Sequence, residues 1–485
     1  MGRAQIAGVL VVVASIVVGA CSPAPGPTQV VAAETATPSP PPSTSRPGTP
    51  APPAATPRPT MEASASPEPS PVNPFGRTSL DLSVTYDVKA AITVGSGVLE
   101  VTTLLRVQNA SGGGIDHLEL NSLAARLGGI QILESTVDDE PVDVEVDDQT
   151  IRVPLGRILP DGGTALVRIG YRARLRGTLV DPDWMFSRSG DTLVLYRWIP
   201  WVSRAVPFDR PNDGQPFVTP TSPRVDVEIV TDEPMILAAP TGEVVRAGVG
   251  RGGAWAFTLH DVRDVSVVLA SDFRVVEGTA SGVTIRVYTA AGSPNRQRLL
   301  ALARQAVTEQ ARLLGLDFPR AFLAVVETEG GEALEAPGLI WVPRTDDTLN
   351  RTYQVHQKIA HQWFYGLVGN DQRAEPFADE GPADFLARTV LDNFRPSRCS
   401  TSALDRGLAA YARGCYYEVI NVQGGLLLDE VRRRMGNEAF WGALRGYLQV
   451  HRLGLAGTRS LLEALEAASA TNLAPLLRSR FPSLY

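Results

Sequence analysis

Between residues 78 and 275 apolar and polar residues alternate with a period of two. The stretches "LDLSVTYDVKAAITV", "GVLEVTTLLRVQNAS", "PVDVEVDDQTIRVPLG", "TALVRIGYRARLRG", "RVDVEIVTD", "AWAFTLHDV" and "DVSVVLASDFRVVEG" all follow it, with Gly, Pro, Asn and Asp between them. That alternation places one set of side chains on each face of a strand. No helical period of any length interrupts it. The pattern predicts an all-β region, a β-sandwich or a large twisted, saddle-like sheet. One less regular stretch, "WIPWVSRAVPFDRPNDGQPFVTP", is rich in aromatics and Pro and is expected to pack as a loop.

Beyond residue 283 the period changes. "VTIRVYTAA", "AFLAVVET" and "GLIWVP" read as strands, and "SPNRQRLLALARQAVTEQARLLGL" as an amphipathic helix closing near Gly315. Helices are predicted at about 350–368, 378–393, 402–412, 416–435, 437–451 and 458–468, with a short one last. A small sheet followed by many helices is an α+β arrangement. The chain is therefore read as multidomain, with a β domain over 76–278 and an α+β domain over 279–485.

Residues 1–21 hold one early Arg, an apolar run and small residues before Cys21, the pattern of an export signal. "VGAC" resembles a lipobox, which implies lipid on Cys21 and attachment to the extracytoplasmic face of a membrane. Residues 22–75 carry 17 of the chain's 38 prolines, with Ala, Ser and Thr between them. Such a stretch buries too little apolar surface to fold, and Pro keeps it extended, so it is read as a disordered stalk. The net charge of −7 and the lack of a Lys/Arg block argue against a nucleic-acid partner. With Cys21 lipidated, Cys399 and Cys415 remain, and export favours a disulfide between them over two free thiols.

The candidate chemistry lies in "YQVHQKIAHQWFYGLVGNDQRAEPFADEGPADF", residues 353–385. A zinc peptidase of the zincin type needs two histidines one helical turn apart, so that both imidazoles reach one ion. A glutamate beside the first histidine polarises the bound water, and a third ligand comes from elsewhere. His361 fits the second histidine, and Glu380, after eighteen intervening residues, fits the third ligand. One turn before His361 stands Gln357, and the water-activating position is Lys358. His356 points about 140° away from His361 on a regular helix, so only a one-residue bulge could recruit it.

These residues resemble the gluzincin aminopeptidases of the aminopeptidase N family, whose pattern is HExxH, eighteen residues, then Glu. "EALEAPGLIWV", residues 332–342, resembles the family's exopeptidase strand, and implies that Glu335 binds a substrate amino terminus. "RMGNEAFWGALRGYL", residues 434–448, resembles the helix pair after the site. Counting back from Gly436 puts Asn421 where the family has its transition-state tyrosine. The resemblance implies a β domain followed by a thermolysin-like domain.

Three family positions differ: the first zinc His is Gln357, the general-base Glu is Lys358, and the tyrosine is Asn421. Glutamine is a poor zinc ligand, and a charged lysine takes no proton from water. The expectation is a surface-anchored pseudopeptidase without cofactor that binds peptides or scaffolds envelope proteins. The alternative is a metallopeptidase with an atypical zinc site. Lys358 is expected to pair with Glu380, with Glu335 as the other candidate, and replacing Gln357 is expected to matter little. Trp363 and Phe364 are expected in the core.

Overall fold

Strand Leu82–Thr93 buries every second residue, Val84, Tyr86, Val88, Ala90 and Ile92 among them, and turns the others outward. The period of two thus becomes a sheet with one apolar face. Leu82–Thr93 runs antiparallel to Val98–Asn109 and parallel to Val225–Thr231. These strands form the middle of an eight-stranded sheet. Two four-stranded sheets in the same half contain Thr192–Leu195 and Ile115–Asn121, respectively. Among the described residues this half also holds one α-helix, α1 (Leu123–Gly128), in a stretch without a helical period. Ser122 caps it by accepting from the Ala124 amide, and Gly129 ends it in the left-handed region at φ 58°.

The computed structural model describes residues 79–204, 218–246, 252–412 and 414–485. Residues 1–21, expected to be an export signal ending in Cys21, residues 22–75, expected to be a stalk, and residues 205–217 of the aromatic segment lie outside them. All described residues belong to one compact unit, Pro69–Tyr485.

A five-stranded sheet opens the second half, in the order Arg274–Ala280, Val283–Thr289, Phe322–Thr328, Leu339–Pro343, Leu334–Ala336. The boundary expected at 278 falls inside its first strand, which pairs with Val283–Thr289. Strand Phe322–Thr328 is buried at every position. Its Ala324 and Val326, with Leu339 and Trp341, pack into the core of the β half. Leu323 and Val325, with Ile340 and Val342, pack against the helices. Burial on both faces is why these strands read as continuous apolar runs instead of alternating.

The helices are α2 (Arg296–Leu314), α3 (Thr348–Ala360), α4 (Phe377–Leu391), α5 (Gly424–Met435), α6 (Asn437–Val450), α7 (Thr458–Ala468) and α8 (Ala474–Arg480). Asp347 caps α3, accepting from the Asn350 amide at 2.9 Å. The helix expected to reach 368 stops at Ala360. The chain folds back there: the Gly366 amide reaches the His361 carbonyl at 2.8 Å, and the Tyr365 amide reaches that of Val368 at 2.8 Å. Tyr365 sits at φ 111°, costly for a residue with a side chain. Its hydroxyl is held by Asp264 and by Arg197 Nη2, at 2.7 Å from the latter, both in the β half. Trp363 and Phe364 lie in the helical core.

No α-helix forms over 402–412. This stretch lies between Cys399 and Cys415, which are joined by a disulfide. Its backbone is bonded outward, Leu404 N–H to Arg480 at 2.7 Å and Leu408 N–H to Arg373 at 2.8 Å, leaving only a short 3₁₀ turn at Leu408–Ala410. Among the described residues no helix is long and apolar enough to cross a membrane.

Candidate functional site

Four elements converge on one buried point. The edge strand Leu334–Ala336 brings Glu335, the last turns of α3 bring Gln357 and Lys358, and His361 caps that helix. The first turn of α4 brings Asp379 and Glu380. A π-helical turn, Glu418–Gln423, runs into α5 and brings Asn421. The wider π turn lets a single residue of a helix project out of register, a device common at functional sites. All seven side chains are buried, His361 completely and Lys358 least so.

The amides organise the acids. Gln357 Nε2 lies 2.8 Å from His361 Nε2 and 2.9 Å from Glu380 Oε2, and donates to the latter. Asn421 Nδ2 donates to the same Glu380 oxygen at 2.6 Å. His361 Nε2 stands 3.4 Å from it. The other ring nitrogen, Nδ1, lies 3.1 Å from the Phe364 carbonyl and so carries a proton. Gln357 Nε2 donates to a bare His361 Nε2; when that nitrogen is protonated, its proton faces Glu380 Oε2 and Gln357 keeps only its bond to Glu380.

Lys358 does not pair with Glu380. Its Nζ is 2.9 Å from Glu335 Oε2. Glu380 is already held by two amides, whereas Glu335 lies on a strand edge beside this face of α3 and needs a cation. The second Glu335 oxygen is 3.8 Å from His361 Nδ1. Gln357 is also more than a bystander, contrary to the expectation for its replacement, since it joins His361 to Glu380.

Burial sets the electrostatics, and the neighbouring charges then decide the direction of each shift. Burial opposes the charged form of His361, but Glu335 and Glu380 outweigh it and raise the ring to about 9. Burial likewise opposes the Glu380 carboxylate, but His361 and Lys358, helped by hydrogen bonds from His361 and Asn421, lower it to about 2. Glu335 is lowered against burial by His361 and Lys358, and Lys358 is raised against burial, chiefly by Glu335. Two carboxylates thus face two cations.

Asp379 escaped the sequence reading. Burial and Glu380 raise its carboxyl to about 7. Asn370 Nδ2 donates to it at 3.1 Å, Gln372 also donates to it, and it stands 3.8 Å from His361 Nδ1. The only signal was its place beside Glu380 in "ADEGPADF". His356 stays outside the cluster. Helix α3 is regularly α-helical through Ala360, and His356 Nδ1 lies 2.8 Å from the Thr352 carbonyl one turn back.

Solved structures share this arrangement of elements. The M1 zinc metallopeptidase from Deinococcus radiodurans superposes with a TM-score of 0.64 at 18% identity, covering 82% of this chain and 93% of that one. A mutant of it bound to a Tyr-Ser-Ala substrate gives 0.64 at 17%, covering 82% and 94%. A two-domain M1 zinc metallopeptidase mutant bound to L-arginine gives 0.63 at 17%, covering 83% and 94%. The fold is that of the two-domain M1 zinc metallopeptidases. No protein-family model and no curated protein matches the chain.

Within that fold, Glu335, His361 and Glu380 offer ligand atoms within 4.8 Å of one another. For an ion to sit among them, the Gln357 amide must leave the space between His361 and Glu380, and Lys358 must release Glu335. As arranged, Glu335 is paired with Lys358, and Glu380 accepts from Gln357 and Asn421. Lys358, charged and donating, takes no proton from water.

Proposed function

We propose that the chain is a non-hydrolytic M1-type module, exported, held to a membrane by lipid on Cys21 and carried on the stalk 22–75 as a scaffold for other envelope proteins. One observation carries the loss of hydrolysis: the Gln357 amide lies between His361 and Glu380, bonded to Glu380 and in contact with the ring. Zinc binds there through deprotonated or neutral electron donors, and an N–H donor in that space competes with it. Lys358 supports the same reading, because it supplies positive charge where a dication would add more. Asn421 gives Glu380 a further hydrogen bond in place of a phenol. Zinc, with its usual donor set, does not fit this cluster.

The domain division at about residue 278, the amino-terminus role of Glu335 and the protein partners of the scaffold are parts of the same proposal. Its test is direct. Purified protein is expected to carry well below one zinc per chain and to release no amino acid from aminoacyl reporter substrates. Stoichiometric zinc surviving mild chelation, together with hydrolysis, selects a second reading, a metallopeptidase with an atypical site. The proximity of Glu335, His361 and Glu380 is what favours that alternative.

A further inference from the structure

The π turn Glu418–Gln423 is not a register that a chain adopts by default, since such turns are rare and short. Both of its ends are fastened to one segment, residues 395–402. At the front, Arg395 clasps the Glu418 carboxylate with bonds of 2.9 and 2.7 Å, the fork-to-fork geometry of a strong pair. The Arg398 amide donates to the same carboxylate at 2.9 Å, and Ser397 Oγ donates to the Glu418 carbonyl at 3.1 Å. At the rear, Gln423 Nε2 donates to the carbonyls of Cys399 and Ser400 at 3.2 and 3.0 Å. Gln423 Oε1 accepts from the Ser402 amide at 3.3 Å and from Arg480 at 2.8 Å.

The Cys399–Cys415 disulfide closes this grip. Cys399 lies inside the gripping segment. Cys415 leads into the turn, its carbonyl accepting from the Val419 amide at 2.9 Å. Both cysteines are half-buried, so the bond lies where a thiolate can approach it. Within the turn, Asn421 donates to Glu380 Oε2 at 2.6 Å. Relaxing the turn to a regular α-helix shifts its residues by one position, about 100° around the axis. An amide turned that far no longer meets Glu380.

We propose that the disulfide is a redox-operated clamp on the π turn. Oxidised, it holds Asn421 against Glu380. Reduced, it frees the segment 395–402, the turn relaxes and Asn421 leaves the carboxylate. The reductant is a dithiol. Its thiolate attacks one sulfur to form a mixed disulfide, and its second thiol then displaces the protein, leaving the reagent as its own disulfide. Two electrons and two protons end on Cys399 and Cys415 as thiols. The inference rests on the non-hydrolytic reading for one contact, Asn421 as a donor to Glu380, and adds thiol control of that contact.

Linkage supplies the test. If the disulfide stabilises the Asn421–Glu380 contact, that contact stabilises the disulfide by the same factor. The oxidised full-length chain is equilibrated with mixtures of reduced and oxidised dithiothreitol, and the thiols at 399 and 415 are read by alkylation and mass spectrometry, apart from Cys21. Asn421→Ala is expected to be half-reduced at a dithiol-to-disulfide ratio at least about fivefold lower than the parent. Val307→Ala, on the buried face of α2, removes packing away from the turn and is expected to leave the ratio within about twofold. A smaller shift in Asn421→Ala, or an equal one in Val307→Ala, overturns the clamp; the latter marks the bond as a staple of the whole fold. Hydrogen exchange gives a reading without substitution, and decides alone if Asn421→Ala does not fold. The amides of Glu418–Gln423 are expected to exchange at least about tenfold faster in the reduced chain, with those of α7 unchanged. Equal rates in the two forms, or an equal gain in α7, overturn it as well. Zinc content and hydrolysis of the oxidised chain decide the non-hydrolytic reading separately. A zinc-free, inactive chain without the Asn421 shift sinks only the clamp, and a zinc-loaded, hydrolytic chain that shows the shift sinks only that reading.

Discussion

Replacing Gln357 is the sharpest probe of the cluster. Its amide is buried, bonds Glu380 at 2.9 Å and contacts His361 at 2.8 Å. Gln357→Ala removes both interactions at once. Glu380 keeps the Asn421 amide, but His361 Nε2 is left with only Glu380 at 3.4 Å. A hydrogen bond to a charged group contributes about 1.5–3 kcal/mol, and the missing side chain leaves a void. Allowing for water entering that void, a loss of about 3 kcal/mol is expected. With an unfolding entropy of about 2 cal/mol/K per residue over roughly 400 residues, this lowers Tm by about 3–4 °C. Differential scanning calorimetry reads that shift, with Gln305→Ala on the exposed face of α2 as a control expected to stay within about 0.5 kcal/mol. Gln357→Glu keeps the volume but sets a carboxylate oxygen against Glu380. It should cost at least as much at pH 7 and recover partly at pH 5, where the new carboxyl can take a proton. A Tm for Gln357→Ala within about 1 °C of the parent refutes the view that this amide holds the cluster together.

Other outcomes follow from the same geometry. Gln357→His, Lys358→Glu and Asn421→Tyr combined should restore zinc binding, read by metal analysis; a variant that folds but takes up no zinc shows that His361 and Glu380 are not placed as ligands. Cys21→Ser should abolish lipid attachment and release the chain or leave it uncleaved, and unchanged processing and membrane retention contradict the lipid assignment. His361 is raised from 6.5 to about 9 on folding, so its contribution is complete below about pH 6.5 and fades as pH climbs through 9. Glu380 is lowered from 4.5 to about 2, so its contribution is present above about pH 4.5 and fades as pH falls through 2. Tm should therefore drop between pH 6.5 and 9, and by less in His361→Gln; an equal drop in both removes His361 as the cause.

The strands of the β half could be read because alternation is a local property, visible wherever one face of a sheet is buried. The meeting of His361 and Glu380 could be read too, because their spacing is that of the gluzincin aminopeptidases that the segment resembles. What escaped depended on packing across distant segments. Lys358 could reach either carboxylate from its place on α3, and only the approach of strand Leu334–Ala336 decides for Glu335. The end of α3 at Ala360 depends on Tyr365 being held by Arg197 and Asp264, far away in the chain. Asp379 was hidden because an acid beside a recognised acid carries no pattern of its own.

The strand Phe322–Thr328 has a mechanical consequence. Its side chains belong alternately to two cores, so it acts as a party wall with both rooms leaning on it. An enlarged side chain on the β side, at Ala324 or Val326, pushes the wall toward the helices. Next in the sheet is Leu339–Pro343, and beyond it Leu334–Ala336 with Glu335. The Glu335–Lys358 pair is therefore exposed to pressure from a strand two places away in the sheet, and drift in the β half is constrained by the fit of a single carboxylate there.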